Sequence, residues 1–104
     1  MTETKVVDIK WPKTPGMDRV NIMRPGPWGN PFRIGLDGVR EEVISKHKAW
    51  LKNEIRSGRL SLEALAELNG KELACVCSPK ACHGDNLKAG AAWAKEELAK
   101  RKVR

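Results

Sequence analysis

A small α/β domain, with a short and mostly parallel sheet of about three strands packed with about three helices, is the fold class this chain predicts. Three observations carry it. Val7, Ile9 and Trp11 alternate with Val6, Asp8 and Lys10, as on a half-buried strand. Apolar residues recur at helical spacing from Val39 to Ser57 and again from Asn86 to Lys100. Between Gly70 and Pro79, the run Leu73-Ala74-Cys75-Val76-Cys77 reads as a buried strand that suits a central position. The length of 104 residues fits a single domain, 1–104, with an ordered core at about 5–99 and a basic tail at 100–104.

The first strand covers about 5–11 and Pro12 stops it. After the turn-forming Lys13-Thr14-Pro15-Gly16, the segment near 19–24 is a second short strand with Val20 and Ile22 on one face. Pro25, Gly26, Pro27, Gly29 and Pro31 then forbid regular structure. The helix near 39–57 gathers Val39, Val43, Ile44, His47, Trp50, Leu51 and Ile55, and Gly58 stands where a left-handed cap belongs. On that apolar face His47 reads as a satisfied core histidine, and Trp50 and Trp93 read as core anchors. A packing helix near 61–68 starts at the N-cap Ser61, with Glu63 in its first turn. The third strand lies near 72–77, and the last helix, near 85–99, turns Leu87, Ala91, Ala94 and Leu98 to one side. Lys100 to Arg104 are too basic to pack and are expected to fray.

Apolar residues at 40% and charged residues at 32% suit a globular chain better than a disordered one. No apolar stretch approaches the roughly 20 residues that span a bilayer, and no basic start leads into an apolar run. The expectation is a cytoplasmic protein without membrane contact. Three cysteines, an odd number with no secretory segment, argue for reduced thiols, with Cys77–Cys82 pairing left as an alternative redox state. The net charge of +7 favours an anionic partner: nucleotide phosphate, nucleic acid or an acidic protein surface.

Chemistry concentrates in Cys75-Val76-Cys77-Ser78-Pro79-Lys80-Ala81-Cys82-His83-Gly84-Asp85, which holds all three cysteines and one of the two histidines. Two readings compete. Cys75 and Cys77 point to one strand face and, with Cys82 and His83 from the following turn, supply the donors of a Cys3His zinc site. The spacing departs from the usual knuckle, where two residues separate paired cysteines, and successive ligands at 82 and 83 must aim at one ion. Alternatively, Cys82 and His83 are catalytic groups at a helix N-terminus, where unpaired N–H groups stabilise a thiolate or a phosphate. Gly84 then admits a ligand closely, and Asp85 either caps the helix or orients His83 as a base.

The loop from Arg24 to Phe32 is the other unusual segment. Its prolines stiffen the backbone, and Trp28 and Phe32 offer flat rings beside Arg24 and Arg33, suited to a base with its phosphate. The competing reading makes the two aromatics core plugs while Asn30 ties the turn to itself. From Lys10 to Arg33 five basic residues stand against the single acid Asp18.

Taken with Arg40-Glu41-Glu42-Val43-Ile44 and Leu68-Asn69-Gly70-Lys71-Glu72-Leu73, the Trp28-Gly29-Asn30-Pro31-Phe32 loop and the Cys75–Asp85 run make the sequence resemble a domain-of-unknown-function family of bacteria and their phages. The resemblance covers roughly residues 5–99. It implies a phage or prophage setting, hence host cytoplasm, and a shared pocket, without a reaction. Val76 departs from the aromatic residue often present between the first two cysteines, which removes a stacking ring there.

Both special segments follow strands directly, and in open parallel sheets ligands lie at the strands' carboxyl ends. The leading expectation is therefore one pocket for a nucleotide, nucleoside or nucleic-acid end. Arg24, Trp28, Asn30, Phe32 and Gly84 bind the ligand, and Cys82, His83 and Asp85 are available for hydrolysis or transfer at a phosphorylated nucleoside. The alternative is a non-enzymatic module that binds DNA or a host protein, with Cys75, Cys77, Cys82 and His83 as a structural zinc site. Whether the chain is an enzyme stays open at this level.

Overall fold

The computed structural model describes residues 3–24, 26–76 and 82–102. Three strands, β1 (Lys5–Asp8), β2 (Arg19–Asn21) and β3 (Glu72–Cys75), pair in parallel in the order β1-β3-β2. With helices α1 (Arg40–Ser57), α2 (Leu62–Glu67) and α3 (His83–Lys102) they make an α/β fold, with the apolar third strand in the centre as expected. Leu73 lies level with Val6 and Val20 on its two neighbours, and Cys75 with Asp8, so the sulfur-bearing residue stands at the carboxyl edge of the sheet.

The outer strands are shorter than their alternating patterns suggest, for a shared local reason. Asp8 Oδ1 accepts the Lys10 N–H (2.9 Å), and Asn21 Oδ1 accepts the Met23 N–H (2.8 Å). Each side chain offers the backbone a turn in place of the ladder. Trp11 consequently leaves the sheet and is half exposed.

Glu72 shows why the β1–β2 connection lies against the central strand. Its carboxylate is buried, accepts the N–H and the hydroxyl of Thr14, and pairs with the Arg19 guanidinium at 3.0 Å. The Thr14 hydroxyl, followed by the Thr14 N–H and Arg19, holds this carboxyl below its ordinary range against the opposing effect of burial.

Gly58 caps α1 at φ 83°, and Ser61 accepts the Ala64 N–H to start α2 (3.0 Å). The core joins Ile22, Leu65, Leu73 and Leu87 with Ala91 and Ala94, whose small side chains let α3 pack closely on its neighbours. α3 begins earlier than the periodicity indicates, at His83, and stays helical through Lys102, with Lys100 and Arg101 exposed on it, while Val103 and Arg104 of the expected frayed tail lie outside the described residues. Trp50 packs against the core as predicted, whereas Trp93 lies off the Leu87–Ala91–Ala94 stripe and is 49% exposed. Among the described residues no helix is long and apolar enough to cross a membrane.

Candidate functional site

The proline-stiffened loop and the cysteine segment meet. Beyond the carboxyl ends of β2 and β3 they enclose a cleft of about 540 Å³, with Arg24, Asn30, Phe32 and Arg33 from the loop and Cys75, Cys82 and His83 from the sheet edge and the start of α3. Helix α1 closes the third side with Arg40, Val43 and Ile44. Among the described residues three arginines and no acid line this space, so its wall is electropositive.

The loop owes its shape to backbone contacts of closest approach. A Cβ at Gly29 would stand 2.8 Å from the Arg24 Cα, and the Gly29 N–H donates to Gly26 O at 3.0 Å. Arg24 Nη1 donates to Asn30 O at 2.8 Å, and Asn30 Oδ1 accepts the Phe32 N–H at 2.9 Å. Arg24 thus spends part of its donor fork on holding the loop, and Asn30 ties the turn to itself. Trp28 takes no part in the cleft wall. At 8% exposure it belongs to the hydrophobic core, so the loop's one aromatic surface in the cleft is Phe32.

At the other wall, Cys82 occupies the N-cap of α3. Its Sγ accepts the Gly84 N–H (3.3 Å), while Asp85 Oδ2 accepts the Cys82 N–H (3.2 Å). The helix start is thus capped from both sides, with a thiol in the N-cap place usually taken by serine and a carboxylate reaching back from the third helical residue. Asp85 therefore caps the helix from its third position and does not orient His83. It borders a shallow hollow beside Glu3, Thr4 and Lys88, away from the arginine-lined cleft. Gly84 is buried and serves packing: a Cβ there would lie 2.9 Å from Val6 Cγ1 and 3.0 Å from Ile22 Cδ1. Its smallness lets the helix start sit down on the sheet, which leaves no room for a ligand at that position.

Cys75 Sγ, Cys82 Sγ and a His83 ring nitrogen all lie within 4.8 Å of one another, at 2%, 3% and 7% exposure. Two sulfurs and one imidazole form a donor set that suits zinc. His83 Nε2 lies 2.7 Å from Ile22 O. A carbonyl can only accept, so Nε2 carries the proton and the Nδ1 lone pair is left for a metal or a proton, as in metal-binding histidines held by a carbonyl. Cys77, the remaining member of the expected ligand set, lies outside the described residues.

Behind His83 stands His47, ring centroids 5.1 Å apart and edge to face. Asn86 Nδ2 donates to Ile44 O (2.8 Å) and contacts His47 Nδ1 (3.1 Å). One amide group supplies both protons, so Nδ1 of His47 is an acceptor and Nε2 bears hydrogen. That Nε2 is buried and has no hydrogen-bond partner among the described residues. The expectation of a satisfied core histidine is therefore half right. Burial first, and the charge His83 would carry second, push its pKa down to about 4, so it is neutral at pH 7.

Sequence reasoning missed Arg40, whose helical position looked like part of a solvated face, and Asn86, which orients His47. Neither residue type in isolation signals such a role.

The "Uncharacterized 12.4 kDa protein in nrdA-td intergenic region" of Enterobacteria phage T4 is 43% identical over 67 residues, 64% of this chain and 60% of that protein. The chain thus spans about three fifths of the length of this relative. No solved structure matches the fold. The family model described as domain of unknown function DUF4326 matches residues 8–93, which include both walls of the cleft, and the chain belongs to that family.

Proposed function

We propose that the cleft binds a phosphorylated nucleoside, with a zinc ion held at its floor by Cys75, Cys82 and His83. The observation that carries this reading is the convergence of Arg24, Arg33 and Arg40 with that Cys/His cluster in one cavity. Guanidinium groups bind phosphate through charge-assisted paired hydrogen bonds, and Phe32 offers a face for a base. Among the described residues three donors converge, and they also line the cleft, so a fourth position at such an ion, if open, is within reach of a bound ligand. A zinc ion so held would polarise a phosphoryl or carbonyl oxygen, which serves hydrolysis or group transfer. The protein's own groups orient the ligand: the arginines anchor the phosphate, and His83, its proton fixed by Ile22 O, keeps Nδ1 in place.

The near-complete burial of all three donors favours a second reading, a non-enzymatic module for DNA or a host protein in which the metal is a structural staple. Zinc content and thermal melts of the purified protein, with and without chelator and with a panel of nucleotides, separate the two. The cleft reading expects nucleotide-induced stabilisation that chelator or Arg33→Ala reduces while folding persists. The staple reading expects chelation to unfold the chain. Stabilisation by no nucleotide in either metal state overturns the first reading.

A further inference from the structure

A second groove, of about 780 Å³, runs between α1 and α3 over α2, and its composition differs from the arginine-lined cleft. Its floor is aliphatic: Leu51, Ile55, Leu62 and Leu65. Gly90 presents no side chain to it, and Trp93 stands at its border, 49% exposed. On one flank Lys48, Lys52 and Arg56 follow one another at every fourth position of α1, a cationic row about 12 Å long, and Arg101 stands on α3. No acidic side chain lines the groove among the described residues.

An apolar floor beside an unbalanced cationic row is complementary to a helix that is apolar on one face and acidic on the flank. Leucine-sized side chains at helical spacing would fill the floor, and glutamates or aspartates four apart would meet Lys48, Lys52 and Arg56. Two other occupants fit less well. A nucleic-acid strand would lay sugar and phosphate over aliphatic carbon that returns no hydrogen bonds. A second copy of this chain, itself at net charge +7, would set one cationic row against another. We infer that the α1–α3 groove docks an acidic amphipathic helix of a partner protein. The inference is independent of the nucleotide reading, since the two sites share no lining residue.

The test uses the whole chain and synthetic helical peptides of about five turns. One peptide carries leucines on one face and glutamates on the other; one replaces the glutamates with lysines; one has the acidic composition scrambled. A thymidine oligonucleotide is the fourth probe. Calorimetry is expected to show binding of the acidic amphipathic peptide alone, weakened by salt and reduced about tenfold or more by Lys52→Glu with Arg56→Glu or by Trp93→Ala. Lys10→Glu with Lys95→Glu, an equal change of charge away from the groove, leaves it unaltered, and melting curves report the folding of each variant. Equal loss in both charge-reversed pairs, binding of the scrambled peptide as tightly, or binding of none overturns the inference. So does tighter binding of the oligonucleotide that the groove variants abolish.

Discussion

His83 Nε2 lies 2.7 Å from the carbonyl oxygen of Ile22, so the last turn of backbone that pairs β2 with the central strand also sets the tautomer of a histidine at the head of α3. The bond links the two walls of the cleft before any ligand arrives. It also makes the imidazole's free lone pair a property of the fold, since rotating the ring would bury an unpaired carbonyl.

Replacing Cys75 or Cys82 with serine should abolish stoichiometric zinc binding, because a hydroxyl is a poor ligand for this ion. Metal analysis of the purified variants checks this. Cys82→Ser retains an oxygen that can cap α3, so its metal-free stability should fall less than that of Cys82→Ala, which is expected to lose about 1 kcal/mol more.

Gly84→Ala should destabilise the protein by about 1–3 kcal/mol despite alanine's better helix propensity, since the new methyl would meet Val6 and Ile22 near 3 Å. Urea melts give the magnitude. Unchanged stability would mean that the start of α3 can lift from the sheet.

The loop aromatics should separate cleanly. Trp28→Ala, in the core, is expected to cost about 3–5 kcal/mol, whereas Phe32→Ala should lower nucleotide affinity with a smaller change in stability. Arg33→Ala should leave stability nearly unaltered while weakening nucleotide binding about tenfold, measured by calorimetry.

Acid should weaken the metal-free fold in two stages. Between the ordinary histidine value of 6.5 and about 4, the unfolded chain takes up a proton that folded His47 refuses, so stability falls as pH drops through that window, by about 3 kcal/mol at most. Below 4.5, Glu72, whose carboxyl is held lower when folded, adds a further loss as pH falls toward its folded value. Urea melts from pH 7 down to about 3 check the sequence, and His47→Gln should flatten the upper stage.

What the amino-acid sequence determined by itself was the order of elements, the parallel α/β class and the two segments that line the cleft. These rest on local physics. The apolar run of β3, the helical stripe through Val43, His47 and Leu51, the Gly58 cap and the Ser61 cap act within a few residues of themselves. Even the short β1 and β2 had a local cause in Asp8 and Asn21, whose turn-forming side chains outweigh the alternation around them.

Only the tertiary structure decided which members of those segments face each other. Trp28 and Phe32 are both aromatic residues of one loop, and it was the approach of Gly29 to Arg24 and the packing of the core that sent one ring inward and left the other at the cleft. Asp85 could serve a histidine or a helix end until the Cys82 N–H claimed it. Arg40 and Asn86 acquired their places from the docking of α1 and α3, contacts between residues far apart along the chain. Spacing along a strand or helix sets the face a side chain takes, while its partner on that face is set by the packing of distant elements, which no short-range pattern encodes.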